Sequence, residues 1–283
     1  MDDFQEKIIP LITDGTLTGL IPIFETARQQ QQVPPTAILL QTAIKAMQLD
    51  VLQYLLTRLL PHEEDEDNNG NGKQSPFRTL DREVILKALT SERVPAFELL
   101  CRHDPSLLTM PLGHWGPPLA WAVLGDQLRL ASFLLANGVD PNETQLNHRP
   151  VVEGAASVAS CAMMELLLDH GATIEGTGAL FGAVCHRRID MLTLLVEKRK
   201  MTNINAIQPA DENQSLTAGP VLHLAIRKKY RPMVRVLIER FHADPLARDP
   251  EVWKETNNKH NNPLNANKDA LGKIGKEGLT LMD

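Results

Sequence analysis

What most narrows the folds open to this chain is that it repeats itself. The run Pro118-Leu119-Ala120-Trp121-Ala122-Val123, followed by Phe133-Leu134-Leu135-Ala136-Asn137-Gly138-Val139-Asp140-Pro141-Asn142, returns in outline as Ala155-Ala156 followed by Leu166-Leu167-Leu168-Asp169-His170-Gly171-Ala172. Gly138 and Gly171 stand 33 residues apart. Each unit reads as a short Ala-bearing helix, a polar turn, a second helix ending in leucines, and a glycine that stops it in the left-handed conformation. A unit of that kind cannot bury its own apolar face, so a period of roughly 20–50 residues means that neighbours stack and share one continuous core.

The template extends both ways. Toward the N-terminus it fits Ala43-Ile44 with residues 50–56, and Ala88-Leu89 with Phe97-Glu98-Leu99-Leu100-Cys101. A degenerate first unit runs through Leu11 to Phe24. Toward the C-terminus it fits residues 180–184 with 188–196, where the closing glycine is lost, and Val221-Leu222-His223-Leu224-Ala225-Ile226 with Val236-Leu237-Ile238 and Ala243-Asp244-Pro245. Taking the first-helix alanine as marker, Leu11, Ala43, Ala88, Ala122, Ala155, Ala183 and Ala225 are separated by 32, 45, 34, 33, 28 and 42 residues. The long gaps are insertions at 61–77 and 206–219, and the short one is a trimmed loop before Phe181.

This pattern resembles the ankyrin repeat, about 33 residues long, with Thr-Pro-Leu-His-x-Ala opening the first helix and Leu-Leu-Leu-x-x-Gly-Ala-Asp closing the second. The resemblance implies an all-α solenoid of about six to seven helix-turn-helix units joined by β-hairpin-like loops. It predicts a single domain over 1–283: degenerate units at 4–60, an acidic disordered insertion at 61–78, repeats over 79–248, and a degenerate cap at 249–283. A Gln run at 29–32 is expected as a connector.

Composition then falls into place. Aromatic residues are only 4% of the chain, so Leu, Ala, Val, Ile and Met must fill the interior, which suits closely stacked helices. The net charge is −6, which offers no global attraction to nucleic acid or an anionic membrane. The charge is uneven, with 12 basic against 23 acidic residues in 1–180 and 17 against 12 in 181–283. Cys101, Cys161 and Cys185 show no CxxC spacing, so neither a disulfide framework nor a zinc cluster is indicated, and a reducing compartment fits. The acidic start and the lack of an apolar run of roughly 18–20 residues predict a cytoplasmic or nuclear protein without a membrane span.

No nucleophile elbow, P-loop, dinucleotide-binding glycine motif, H-E-x-x-H or EF-hand sequence occurs, and the expectation is a non-enzyme with no cofactor and no metal. Cys101 falls at a core position of a second helix. His223 is the pattern histidine, which the resemblance assigns to shaping a turn. The resemblance places partner contacts on a concave face, at the hairpin tips and at the residues after each first-helix Ala. Carried onto this sequence, those are Trp115, Trp121, His186, Arg227, Lys228 and Tyr230, with Trp121 open to the alternative of packing between repeats. Lys198-Arg199-Lys200 forms a second basic cluster, which also suits a helix C-terminus.

The leading expectation is therefore a monomeric interaction scaffold or adaptor that binds a protein partner, with an acidic segment, through its concave groove. One alternative is a groove recruited as a small-molecule-binding or catalytic pocket around Cys185, His186 and Tyr230. Another is a nuclear regulator docking on transcription factors without touching nucleic acid itself.

Overall fold

The computed structural model describes residues 3–59, 82–90, 93–113, 116–146, 149–198, 204–205 and 220–247. The acidic insertion at 61–78, the insertion at 206–219, the cap at 249–283 and Trp115 lie outside the described residues. Two compact units are present, Met1–Arg199 and Lys200–Asp283.

The first unit is a succession of helix pairs: α1 (Asp3–Asp14) and α2 (Leu17–Gln29), α3 (Thr36–Ala46) and α4 (Leu49–Leu59), α5 (Arg82–Ala88) and α6 (Val94–His103). Then come α7 (Pro118–Leu124) and α8 (Leu128–Ala136), α9 (Val151–Val158) and α10 (Cys161–Asp169), α11 (Ala179–Cys185) and α12 (Ile189–Thr193). Between α8 and α9 the chain forms a short antiparallel hairpin, β1 (Gln145–Leu146) with β2 (Arg149–Pro150), in which Gln145 faces Pro150 and Leu146 faces Arg149. The Gln run proves to be half helix end, half connector: Gln29 closes α2, and Gln31 turns the chain at φ +55°.

Like packs on like. First helices α1, α3 and α5 pack in succession, as do α7, α9 and α11, while α4, α6, α8 and α10 form a second layer. Each contributes apolar residues to the seam, such as Leu39, Leu40, Ala43 and Ile44 from α3 and Leu119, Ala120 and Ala122 from α7, all fully buried. Among the described residues, Phe24 and Phe97 are wholly buried aromatic side chains. Small residues let the layers close up: a Cβ added to Gly182 would lie 2.6 Å from Ser157 Oγ and 2.9 Å from the Glu153 carbonyl oxygen, so α11 sits on α9 at a distance that leaves no room for a methyl group.

Two left-handed positions recur. The turn inside three pairs of this unit contains one non-glycine residue of positive φ, Met47, Asp126 or Arg187 at +57°, +50° and +59°; in α1–α2 the residue is Gly15 at +72°, and the α9–α10 turn has none, with Ala159 at −83° and Ser160 at −68°. The end of the second helix contains another, Gly138 at +84° and Gly171 at +86°. After Gly138 the carboxylate of Asp140 accepts the Asn142 N–H at 2.7 Å, and Asp104 does the same for Ser106 at 2.9 Å after α6, an Asx turn that redirects the chain. Asn142 then ties one loop to the next, accepting from the Thr173 N–H and hydroxyl at 2.8 and 2.9 Å and donating to the Gly171 carbonyl at 3.0 Å.

The second unit is described through α13 (Val221–Arg227) and α14 (Arg231–Arg235). It uses the same devices: Lys229 turns between the helices at φ +56°, and His242 stands at +52° where a closing glycine is expected. Asp244 accepts the Leu246 N–H at 2.8 Å, and its own N–H is taken by the Asn205 side chain at 2.9 Å, repeating the roles of Asp140 and Asn142.

One feature departs from the sequence expectation. α12 runs on as a π-helical turn over Leu194–Lys198, and α14 does so over Val236–Arg240. Asp126 and Gly138, the two left-handed residues that flank α8, are 12 positions apart, whereas Lys229 and His242 are 13 apart. The wider i to i+5 turn absorbs one extra residue while keeping the apolar face inward. Leu195 and Leu237 remain fully buried.

Replacement of Gly138 or Gly171 by Ala is expected to lower unfolding stability by about 1–2 kcal/mol each, because the surroundings are open and only the backbone conformation resists. Gly182→Ala meets backbone instead and is expected to cost roughly 1–3 kcal/mol. Urea midpoints of the three variants check both values, and a neutral Gly182→Ala would contradict the tight α9–α11 seam.

Candidate interaction surface

In three of the intra-pair turns a left-handed residue sets exposed side chains outward. In the α7–α8 turn these are Gly125 and Asp126; in α11–α12 they are His186 and Arg187; in α13–α14 they are Arg227, Lys228 and Lys229. All seven residues are exposed. The order of these turns along the chain runs from acidic to strongly basic.

Part of this surface is committed to holding the turns together. Asp126 Oδ1 accepts from both the Ser160 N–H and its hydroxyl at 2.9 Å, and the Ser160 hydroxyl in turn caps α10 by accepting the Met163 N–H at 3.2 Å. The residue after the left-handed one reaches back: Gln48 donates to the Thr13 carbonyl at 3.1 Å, and Arg188 Nη1 donates to the Ala159 carbonyl at 2.7 Å. Tyr230 occupies that same register and is half-buried.

Arg188 also pairs with Asp190 at 3.1 Å. Its hydrogen bonding holds the Asp190 carboxyl below the ordinary carboxylate range. The Cys161 thiol donates to Asp190 Oδ2 at 3.4 Å, and burial followed by that hydrogen bond pushes the thiol pKa up. Cys161 is thus held protonated, the opposite of what a nucleophile needs.

The other expected contacts fall as follows. Trp121, half-buried on α7, donates its Nε1–H to the Leu89 carbonyl just past α5 at 3.0 Å, so its indole also ties one pair to the next. It stands one residue before Ala122, as Gly182 stands before Ala183. The same register thus holds a bridge in one place and a close approach in the other. His186 is exposed at the C-terminal end of α11. Arg227 ends α13 and Lys228 follows it, both exposed. Desolvation pulls the Arg227 pKa below its ordinary value, yet a guanidinium stays charged at neutral pH. Of the Lys198-Arg199-Lys200 cluster, only the Lys198 backbone lies within the described residues.

His223 sits inside its own pair, with Nε2 3.2 Å from the Pro245 carbonyl in the loop after the second helix. That contact requires the proton on Nε2, and it links the start of α13 to the loop that leaves the π turn. Cys101 is buried in α6, and burial, reinforced by Asp104 and Glu98, pushes its thiol up to about 12. None of the three cysteines is in a disulfide. Among the described residues, no group of three or more His, Cys, Asp and Glu is placed to hold a metal ion, and no helix is long and apolar enough to cross a membrane.

A feature that sequence reasoning missed lies on the second-helix layer of the first unit: an open depression of about 700 Å³ shared by α6, α8 and α10. None of Trp121, Cys185, His186 and Tyr230 lines it. Its signal in the sequence, the exposed row Leu128, Ser132 and Ala136 four residues apart on α8, is hidden inside what reads as an ordinary apolar helix.

Residues 221–250 match the family model described as Ankyrin repeat, a segment that takes in α13, α14 and the π turn. No curated protein matches the chain.

At pH 8 a thiol with a pKa near 12 is ionised in about one molecule in 10⁴. Cys101 is therefore expected to escape alkylation in the folded protein and to react on addition of denaturant, while the half-exposed Cys185 reacts first. Peptide mapping after brief iodoacetamide treatment reads the order, and equal rates at Cys101 and Cys185 would place Cys101 outside the core.

Proposed function

We propose that this ankyrin-repeat chain is a non-enzymatic interaction module whose helix pairs continue as one solenoid of six to seven units through residue 283, and that it binds a protein partner on the concave side where the intra-pair turns lie. The observation that carries this reading is the chemistry of the α13–α14 turn within the matched repeat. Arg227, Lys228 and Lys229 are exposed in succession, Arg231 follows, and the left-handed Lys229 fixes their geometry. A rigid cationic turn favours an acidic segment of the partner, since opposite charge speeds encounter and fixes register.

His186 and Tyr230 supply polar contacts in this reading, and Trp115 the aromatic anchor. Trp121 contributes whatever part of its ring the bond to Leu89 leaves accessible. Ankyrin repeats characteristically mediate protein–protein contact, and the protonated state of Cys161 and Cys101 also favours binding over covalent catalysis. A monomer in the cytosol or nucleus accords with three cysteines outside any disulfide.

Affinity purification with mass spectrometry, run in parallel on wild type and on Arg227→Glu/Lys228→Glu, tests the assignment. The double variant is expected to fold normally by circular dichroism and to lose the wild-type partners whose bound segments are acidic. Salt should weaken the wild-type complexes more than any that survive in the variant. Retention of every partner at unchanged affinity would refute the basic turn as the contact surface.

A further inference from the structure

We propose that the face shared by α6, α8 and α10 is a second docking surface, built for a basic amphipathic helix of a partner protein. The depression of about 700 Å³ there is open rather than enclosed. That shape is wrong for a small molecule, which is held by burying most of its surface. It suits a rod laid along it.

The floor is made for close approach. On α8 the residues Leu128, Ser132 and Ala136 fall four apart and so form one ridge. Leu128 keeps 38% of its surface in water, a large apolar side chain only partly covered. Ser132 and Ala136 are exposed and small, as is Ala162 on α10, which lets a helix backbone come near. Phe133 and Leu166, half-buried between the helices, add apolar surface to the floor.

The walls carry the charge. Glu98 lines one side on α6, and Glu165 and Asp169, one turn apart, line the other on α10. Arg129 on α8 is the cation among the lining residues, so the surface carries three carboxylates against one guanidinium. The depression is lined by α6, α8 and α10 together, so a helix laid over α8 would run between carboxylates on both flanks. An occupant with an apolar stripe over α8 and lysines or arginines along both flanks therefore matches this face in shape, polarity and sign. The surrounding sequence has the same sign, with 12 basic against 23 acidic residues in 1–180.

The test uses the full chain and a fluorescein-labelled synthetic helix of about 18 residues made of leucine and lysine, with leucines at i, i+3/i+4 and i+7. Fluorescence anisotropy is expected to show saturable binding that weakens with salt. Ser132→Arg/Ala136→Arg, which fills the floor at exposed positions, should weaken it at least tenfold. Glu98→Gln/Glu165→Gln should weaken it about three- to tenfold and flatten the salt dependence. Should the arginine pair unfold the chain, the carboxamide pair, nearly isosteric with wild type, still decides the matter. Arg227→Glu/Lys228→Glu should bind the probe as wild type does, which separates this surface from the basic turn. Equal affinity for a scrambled peptide of the same composition, for a leucine–glutamate helix, or for both groove variants would overturn the proposal. So would wild-type self-association in sedimentation that Ser132→Arg/Ala136→Arg abolishes, which would assign the face to a second copy of the chain.

Discussion

The structure depends on burial of one helix against its counterpart in the next pair. α5, α7, α11 and α13 have seven residues each, and isolated helices shorter than about 12–15 residues are marginal in water. None of them is held by its own hydrogen bonds. In the first unit each is helical because the next helix covers its Ala- and Leu-rich face, and the fully buried Ala43, Ala88, Ala122, Ala155 and Ala183 mark that seam. Gly182 shows how far the demand goes, since a single methyl group there would strike the backbone of α9.

Stacking of this kind fixes the turns as well. Bringing two antiparallel helices back over a neighbouring pair requires a reversal in very few residues, and a left-handed residue does it at Met47, Asp126, Arg187 and Lys229. None of these is glycine, so each accepts backbone strain of order 1–2 kcal/mol that tertiary contacts must offset. Asp126 offsets some of it through its bonds to Ser160, and the neighbours Gln48 and Arg188 do so through theirs to Thr13 and Ala159. The polar groups at these turns thus act between pairs, not within them.

The helix pairs were legible in the sequence because the features that build them are periodic: the alanine seam, the leucine triplets, and Gly138 and Gly171 with positive φ. After these closing positions Asp140 and Asp244 each accept a backbone N–H two residues on, a turn that the sequence reading did not single out. What could not be read were events that break the period by a single residue or reach across it. The π turn at Val236–Arg240 comes from one residue too many in the second helix, and a one-residue excess is invisible where no closing glycine marks the end. The bond from Trp121 to Leu89 spans 32 residues, and only the stacking of the pairs brings its partner near. The depression over α8 needed three helices in place before Leu128, Ser132 and Ala136 could be seen as a floor.

Positions that hold the structure and positions that display chemistry are largely separate here, and that separation is what lets such a chain carry a function at all. The seam tolerates little, because close packing leaves no slack for added volume. In α7, α11 and α13 the last residue and the one that follows make no such demand: Leu124-Gly125, Cys185-His186 and Arg227-Lys228 occupy the same register with unrelated side chains. Trp121 is the exception, a residue in the seam whose indole bonds across it, so any recognition by that ring is coupled to the packing of α7. The exposed faces of α8 and α10 are uncoupled in the same way as the turns, since Ser132, Ala136 and Ala162 point away from the buried Leu130, Leu134 and Met163. Two surfaces of opposite charge can therefore change their chemistry independently of each other without disturbing the alanine seam that keeps the helices folded.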